Sequence, residues 1–429
     1  MSESAPPPFT APAAPSSRGV PSDRRTLVLV AAFLGWMFDG LEMGIFPLVA
    51  RPALQEMQQA SGSVGDAFVG EWMGNITALF LVGAALGGLL FGWVGDRFGR
   101  VRGMSIAILC YSVFTGLAYF AQTPLQLGAL RFVAALGMGG EWSLGVALVM
   151  EVWPEKHRPW LAGVIGAAAN VGFALIGIIG IFAPVTQDSW RWVMLLGAAP
   201  AFLTFFIRMF VPESPRWLEA ARQTPARPLR EMLAPPLLPL TLLATVFSSI
   251  ALIGSWGSVQ WLPLWADQMA GPAVPQAKAY TQTLTAVGAV CGCLVGALLG
   301  GRLGRRPAFF VLCLCSLGSC AWIFRGFDHY GPGFLAMTFL VGFTTSAFYG
   351  WLPLYLPELF PTRVRATAQG AAFNAGRILA AGAALQMGAL MQMFDGSYAR
   401  AGAIISLVYA VGLVVIWFAP ETKGRSLPD

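Results

Sequence analysis

The sequence predicts an all-α membrane protein whose twelve transmembrane helices form two pseudo-symmetric six-helix bundles. Hydrophobic residues make up 56% of the 429 residues and charged residues only 11%, whereas soluble domains carry about 25% charged residues. The apolar residues fall into runs long enough to cross a bilayer of roughly 30 Å. Three motifs from the first half recur in the second half at nearly one spacing. These observations indicate a lipid solvent and a duplicated architecture.

Twelve apolar runs follow a polar N-terminal segment that is rich in Pro, Ala and Ser. That segment lacks the apolar core of a signal peptide, so we expect a disordered tail. The seventh run contains Pro263 and is expected to break near Trp261. The runs lie near 27–50, 72–94, 103–121, 125–150, 160–184, 191–211, 237–266, 280–300, 307–325, 332–356, 366–392 and 399–419.

The runs divide the chain into two bundles joined by a segment with six prolines. The predicted units are a disordered cytoplasmic tail (1–25), an N-terminal six-helix bundle (26–211), a cytoplasmic linker (212–236), a C-terminal six-helix bundle (237–420) and a second cytoplasmic tail (421–429).

Lysine and arginine residues predict the orientation. With the N-terminus inside, nineteen of the 27 Lys and Arg residues lie in cytoplasmic segments and five in outer segments. Because positive charge favours the cytoplasmic side, we expect both termini to be cytoplasmic in a cell inner (plasma) membrane. The net charge of +6 is then a topology signal. The expected surroundings are the lipid bilayer, with no nucleic-acid partner.

The internal repeat predicts the position of a binding site. Three motif pairs recur with offsets of 205, 207 and 208 residues, which argues against chance. Parallel halves related by an axis along the membrane normal place a substrate site between them near the midplane. The pairs are Gly95–Arg100 with Gly300–Arg305, Glu151–Arg158 with Glu358–Arg365 (both Glu-x-x-Pro-x-x-x-Arg), and Pro212-Glu-Ser with Pro420-Glu-Thr.

The turn from Gly92 to Arg102 resembles the first-loop motif of the major facilitator superfamily, roughly Gly-x-x-x-Asp-Arg-x-Gly-Arg-Arg/Lys. Arg131 and Gly137-Met-Gly139 resemble the fourth-helix pattern of that family, and Glu151 and Arg158 its following loop. The stretches Pro212–Leu218 and Pro420–Arg425 resemble the closing motifs of its sugar-porter-like branch. The resemblance implies the major facilitator fold and a secondary active transporter that works by alternating access.

Three further stretches resemble organic-acid:proton symporters, in particular the sialate/monocarboxylate and aromatic-acid groups. The fifth run, Gly163–Pro184, lacks the Gly-Pro-x-x-Gly-Gly element typical of drug antiporters, so the resemblance favours symport of a small organic acid. No cofactor is implied besides the proton as coupling ion, and we expect a monomer. The stretches are Phe38-Asp-Gly-Leu-Glu-Met43, Gly137-Met-Gly-Gly-Glu-Trp142 and Phe373-Asn-Ala-Gly-Arg377.

Other functions stay open. A sugar, polyol or nicotinate-type porter is the main alternative, and a non-transporting sensor is another. A membrane enzyme is disfavoured, because the two histidines, His157 and His329, lie in predicted loops without a metal or nucleophile cluster. The six cysteines lie in apolar runs, and the two Cys-x-Cys pairs point to different sides of a helix. We therefore expect buried thiols, without a disulfide framework or a metal site.

Ionisable residues inside the apolar runs are the principal site candidates, because such groups are costly in a membrane. Asp39 and Glu42 share one helix face at i, i+3. Two close carboxylates in a low dielectric cannot both ionise cheaply, so one holds a proton. Three acids against two bases leave one surplus acid, and an arginine suits a carboxylate substrate. Predicted for proton coupling are Asp39, Glu42 and Glu141, and for substrate binding Arg377, Arg131, Trp36, Asn170, Gln260, Tyr349 and Asn374.

The repeated turns predict a cytoplasmic gate. Glu151 and Glu358 can pair with the arginines of the two turns, and in the family such pairs hold the cytoplasmic side shut. Asp96 has Gly301 as its counterpart, so we expect an asymmetric gate. The first half supplies an acid that can cap a helix end or pair across the interface, and the second copy supplies only cations. The gate prediction comprises Gly92, Asp96, Arg97, Gly99, Arg100, Glu151, Arg158, Arg302, Arg305, Glu358 and Arg365.

Overall fold

The computed structural model describes residues 21–61, 66–182, 187–223, 228–271, 274, 276–394 and 397–428. The first half contains α1 (Ser22–Ser61), α2 (Asp66–Phe98), α3 (Arg100–Leu117), α4 (Pro124–Val152), α5 (Arg158–Phe182), α6 (Trp190–Leu196) and α7 (Pro200–Phe210). Between the halves lie α8 (Pro215–Gln223) and α9 (Pro228–Met232). The second half contains α10 (Leu238–Gly257), α11 (Leu262–Ala270), α12 (Ala277–Leu303), α13 (Arg305–Gly326), α14 (Pro332–Ser346), α15 (Phe348–Leu359), α16 (Arg365–Met393), α17 (Tyr398–Ile405) and α18 (Val408–Val415).

The helices account for the predicted membrane crossings. Within the part of the chain that the structure describes, ten helical stretches are long and apolar enough to span a bilayer. The sixth crossing is the shorter apolar stretch Trp190–Leu203 continued by α7. The eleventh crossing, α16, has 29 residues, and its polar side chains lower its hydropathy. The prediction of an all-α membrane protein with twelve transmembrane helices is confirmed.

Several boundaries differ from the sequence prediction. α1 begins at Ser22, inside the predicted tail 1–25, and residues 1–20 lie outside the described residues. The seventh crossing breaks as predicted, with a 3₁₀ turn at Val259–Trp261 between α10 and α11. The sixth, tenth and twelfth crossings, predicted as unbroken, each consist of two helices. In the sixth, Pro200 starts the second helix, a position that proline favours because the lost N–H is unpaired there anyway.

The two halves are in direct contact. α2 and α4 pack on α16, and α5 packs on α12 and α15. Glycines permit this approach: a Cβ on Gly166 would lie 2.0 Å from the carbonyl oxygen of Tyr349, and one on Gly92 would lie 2.9 Å from that of Ala366. Larger residues at these two positions would force the halves apart.

The six cysteines are free. Each Cys-x-Cys pair splits as its spacing predicts, with Cys293 and Cys313 buried and Cys291 and Cys315 exposed. The expectation that every thiol is buried is therefore wrong for Cys291 and Cys315, because residues two apart lie on different helix faces, and Cys110 is only half-buried.

Candidate functional site

Five ionisable side chains lie deep within the helices. Asp39 and Glu42 lie on α1, Arg131 and Glu141 on α4, and Arg377 on α16. Their exposed fractions are between 0% and 6%. Burial of charged groups in a membrane protein is costly unless they are paired or protonated, so their pairing decides what the site can do.

Glu42 and Arg131 neutralise each other inside the first half. Their side chains form a direct ion pair, and the hydroxyl of Thr115 on α3 donates to the same carboxylate oxygen at 3.0 Å. The guanidinium of Arg131 also lies over the rings of Phe46 and Phe80, at 5.0 and 4.8 Å from their centroids. The structure thus places Arg131, predicted to bind substrate, in a pair between α1 and α4.

Among the five buried ionisable side chains, Asp39 and Glu141 are the two acids that the Glu42–Arg131 pair does not include. A Cβ on Gly35, one turn before Asp39, would lie 1.7 Å from Oε1 of Glu141, so the Glu141 carboxyl lies against α1. Asp39 interacts electrostatically with Glu141, then with Arg377 and Glu42. Neither carboxyl group receives a hydrogen bond from any residue that the structure describes. The five side chains comprise three acids and two arginines, so the one acid in excess is either Asp39 or Glu141.

Arg377 ends an aromatic column that crosses between the halves. Its guanidinium donates to Oδ1 of Asn374 at 3.1 Å and lies 5.3 Å from the ring centroid of Phe373. Phe373 stacks on Trp142 of α4 at 4.2 Å, and Trp142 lies 6.4 Å from Trp36 of α1. Trp142 and Phe373 were not predicted as site residues, although Trp142 directly follows Glu141 and Phe373 directly precedes Asn374.

Three further residues predicted to bind substrate are Tyr349, Asn170 and Gln260. The hydroxyl groups of Tyr349 and Ser255 are 2.5 Å apart, and Tyr349 interacts electrostatically with Arg377. Asn170 of α5 donates to Sγ of Cys293 on α12 at 3.7 Å, across the two halves. Gln260 is exposed in the turn between α10 and α11.

The glycine-rich turns at 95–100 and 300–305 lie on one face, which we call the turn face. In the first half, Arg100 donates to Oδ1 of Asp96 at 2.5 Å and to Oε1 of Glu151 at 3.2 Å. The same oxygen of Glu151 accepts from Arg365 of the second half at 2.9 Å, and Arg100 also donates to the carbonyl oxygen of Thr362 at 2.6 Å. All of these side chains are buried, so the turn face is closed by a network that joins both halves.

Asp96 caps the first turn of α16, which belongs to the opposite half. Its Oδ2 accepts from the backbone N–H of Thr367 at 2.7 Å and from the Thr367 hydroxyl at 2.6 Å. Its Oδ1 lies 3.3 Å from the backbone nitrogen of Ala366, which donates to it. The carboxylate thereby satisfies otherwise unpaired N–H groups and meets the positive end of the helix dipole.

The second turn lacks this cap. A Cβ on Gly301 would lie 2.6 Å from Cγ of Pro159 in the first turn of α5. Pro159 stands where the first cap has Ala366, and proline has no N–H to donate, so an acid at position 301 would be crowded and would lack that donor. Arg305 pairs with Glu358 of its own half at 2.6 Å, and Arg158 pairs with Glu155 at 3.2 Å. The geometry accordingly differs between the two copies.

Two arginines of the predicted gate lie outside the buried network. Arg97 and Arg302 are exposed. Arg97 packs its guanidinium on the rings of Trp93 and Phe98, 5.5 and 5.9 Å from their centroids. Both follow the last buried turn of their helix, where the side chain points away from the other half.

Sequence reasoning missed the caps that the third motif pair supplies. Glu213 accepts from the backbone N–H groups of Arg100 and Val101, at 2.9 and 3.1 Å. Glu421 accepts in the same way from Arg305 and Arg306, at 2.9 and 3.1 Å. Burial raises the pKa of Glu213. Burial also acts to raise the pKa of Glu421, but the N–H groups of Arg305, Arg306 and Lys423 outweigh it and hold that pKa below its usual value.

Glu421→Gln is expected to destabilise the second half by about 1 kcal/mol at neutral pH, because the first turn of α13 loses an anionic cap. A lowered pKa gives stability that is present above the ordinary value of 4.5 and lost as pH falls through the lowered one. Thermal unfolding of both proteins in detergent should therefore differ at pH 7 and converge on acidification below pH 4.5. A difference that grows on acidification would contradict this assignment.

The fold and the interior charges define a membrane transporter made of two related halves. The chain belongs to the Major Facilitator Superfamily, whose family model matches residues 27–385. A probable 4-methylmuconolactone transporter of Cupriavidus pinatubonensis is 32% identical, with 96% of this chain and 94% of that protein covered. The cis,cis-muconate transport protein of Acinetobacter baylyi is 26% identical, with 92% and 95% covered.

A solved structure shares the fold. The proton:xylose symporter XylE bound to 6-bromo-6-deoxy-D-glucose superposes with a TM-score of 0.80 at 18% identity, covering 95% of this chain and 98% of that one. At this identity the likeness establishes the architecture alone. Together with the family match, it identifies the chain as a transporter rather than an enzyme.

Proposed function

We propose that this protein is a secondary active symporter that carries a small organic anion together with a proton by alternating access. The observation that carries the proposal is the buried acid Asp39, which receives no hydrogen bond from the described residues and interacts electrostatically with both Glu141 and Arg377. The proposal puts both termini and the turn face on the cytoplasmic side of the cell inner membrane, in accordance with the distribution of Lys and Arg.

The charge balance supports coupling between anion and proton. Since Glu42 and Arg131 neutralise each other, the two acids Asp39 and Glu141 are set against one remaining cation of the five, Arg377, which interacts with Asp39. One proton on the acid pair makes the cluster neutral. An arriving carboxylate competes for the planar guanidinium of Arg377, and the displaced acid then takes a proton. Anion and proton therefore bind together and leave together.

The neighbouring rings favour a flat, unsaturated acid. Trp36, Trp142 and Phe373 form a column of rings that reaches Arg377, and aromatic faces pack well against planar groups. The names of the muconate and methylmuconolactone relatives point to the same chemistry. The alternative of a sugar or polyol porter has less support, since a neutral cargo leaves Arg377 without an anion. Nicotinate is itself a planar carboxylate and fits this substrate class.

The network at the turn face supports the proposal of alternating access. Opening that face requires separating Arg365 from Glu151 and Thr367 from Asp96. Both contacts join one half to the other, so rocking of the halves breaks them together. The closed turn face is then the conformation in which substrate enters from the outer side.

Uptake into proteoliposomes tests the proposal. We expect an inwardly directed proton gradient to accelerate uptake of cis,cis-muconate or nicotinate, because the gradient drives the proton that accompanies the anion. A protonophore should remove the acceleration, and xylose should neither be taken up nor compete. Uptake that ignores the gradient, or that prefers xylose, would refute proton-coupled anion symport.

A further inference from the structure

A row of side chains on α16 connects the turn face with Arg377. Near the turn face, Thr367 donates to Asp96. Further along, Gln369 donates to the carbonyl oxygen of Ser143 at 2.5 Å, and Asn374 donates to that of Gly139 at 2.8 Å. Each acceptor belongs to the opposite half. Arg377 lies one helical turn beyond Asn374.

Asn374 has two separate partners. Its Oδ1 accepts from Arg377 at 3.1 Å, while its Nδ2 donates to the carbonyl oxygens of Gly139 and Gly370 at 2.8 and 2.9 Å. The amide orientation is unambiguous, because a guanidinium only donates and a carbonyl only accepts. Asn374 is fully buried. Its amide group therefore joins Arg377 directly to α4 of the other half.

A glycine in the first half leaves room for the Asn374 side chain. A Cβ on Gly88 of α2 would lie 2.1 Å from Nδ2 of Asn374. Any larger residue at position 88 would push the amide away from Gly139. The contact thus depends on complementary residues from three helices: Gly88 on α2, Gly139 on α4 and Asn374 on α16.

We propose that Asn374 is a positioning residue that holds Arg377 in its anion-binding orientation only while the turn face is closed. When the halves separate there, Asn374 loses the carbonyl oxygen of Gly139 and keeps only that of Gly370 on its own helix, so the partner of Arg377 is held less firmly. The site then binds the acid more weakly from the cytoplasmic side, which favours release. This inference rests on the proposed role of Arg377 as anchor for a carboxylate.

Half-saturating concentrations measured from each side of the membrane test the inference. In oriented proteoliposomes, the wild-type protein should show a lower half-saturating concentration of cis,cis-muconate for uptake than for efflux. Asn374→Ala should raise the uptake value about tenfold, the size expected for one hydrogen bond to a charged group, and leave the efflux value nearly unchanged. Gly88→Ala, which disturbs the same contact from the other half, should act in the same direction.

Thr338→Val is the matched control, because the buried Thr338 hydroxyl bonds only to Leu335 of its own helix, at 2.7 Å. Equal weakening on both sides in Asn374→Ala would make Asn374 a substrate ligand, and unchanged values would make it a packing residue; either result overturns the inference. If the wild-type protein transports no muconate or nicotinate, the proposed function fails and the inference falls with it. A failure confined to the Asn374 and Gly88 variants leaves the proposed function standing.

Discussion

Replacing Asp39 with asparagine is expected to abolish proton-driven accumulation of the anion while exchange of internal for external anion continues. Asparagine matches the carboxyl in shape but cannot release a proton, so the site stays neutral without coupling. A 1:1 symporter accumulates about tenfold per pH unit of gradient, since one unit corresponds to roughly 1.4 kcal/mol. The accumulation ratio in proteoliposomes should therefore fall to about one, whereas counterflow of labelled muconate should persist.

Glu42→Gln is the control on the same helix face. Glu42 is committed to Arg131, so its loss leaves a buried guanidinium uncompensated and should cost about 3–5 kcal/mol of stability. We expect a clearly lower unfolding temperature but an accumulation ratio like that of the wild type. Accumulation that survives in Asp39→Asn and disappears in Glu141→Gln would move the proton site from α1 to α4.

Much of the architecture could be predicted because it depends on patterns within short stretches of the sequence. Twelve apolar runs predict the number of membrane crossings, and three motif pairs at nearly equal offsets predict the duplication. The asymmetry between Asp96 and Gly301 also predicted that only the first half supplies an acid, for a helix cap or for a pair across the interface. The structure shows that this acid caps the first turn of α16, and that Pro159 crowds position 301 and lacks the N–H that Ala366 donates to Asp96.

The pairing of the interior charges could not be predicted, because the charge count does not state which groups meet. Asp39 and Glu42 lie on one helix face and looked like partners in one function. In the structure Glu42 pairs with Arg131 inside the first half, and Asp39 faces Glu141 and Arg377. The decisive contacts join residues about 90 positions apart or more, so they depend on how α1, α4 and α16 cross.

The caps formed by Glu213 and Glu421 were missed for the same reason, although the repeat of Pro-Glu-Ser and Pro-Glu-Thr was recognised. Each glutamate lies more than 110 residues from the N–H groups that it caps. A useful signal was present: each turn is followed by a helix whose first N–H groups need an acceptor. Repeated acids outside the apolar runs are candidates for that role.

The largest conformational effect is expected from Glu151→Gln. Glu151 accepts from Arg100 and from Arg365 of the other half, so its loss leaves two buried guanidinium groups without their shared anion. The closed turn face should be disfavoured by about 3 kcal/mol, which corresponds to a factor of roughly 150 in population. Spin labels on non-canonical residues at the exposed positions 97 and 302 should report a longer distance between the halves.

Glu358→Gln separates this effect from a general loss of stability. Glu358 occupies the equivalent place in the second repeat, but its ion pair is with Arg305 of its own half. Its removal should lower the unfolding temperature without lengthening the distance between positions 97 and 302. The two substitutions remove the same charge from related sites. Glu358 interacts with Arg158 of the first half only electrostatically, whereas Glu151 accepts a hydrogen bond from Arg365 of the second half, and this bond distinguishes the two variants. Equal opening in both variants would show that the turn face is held by the total charge and not by the Glu151 contact between the halves.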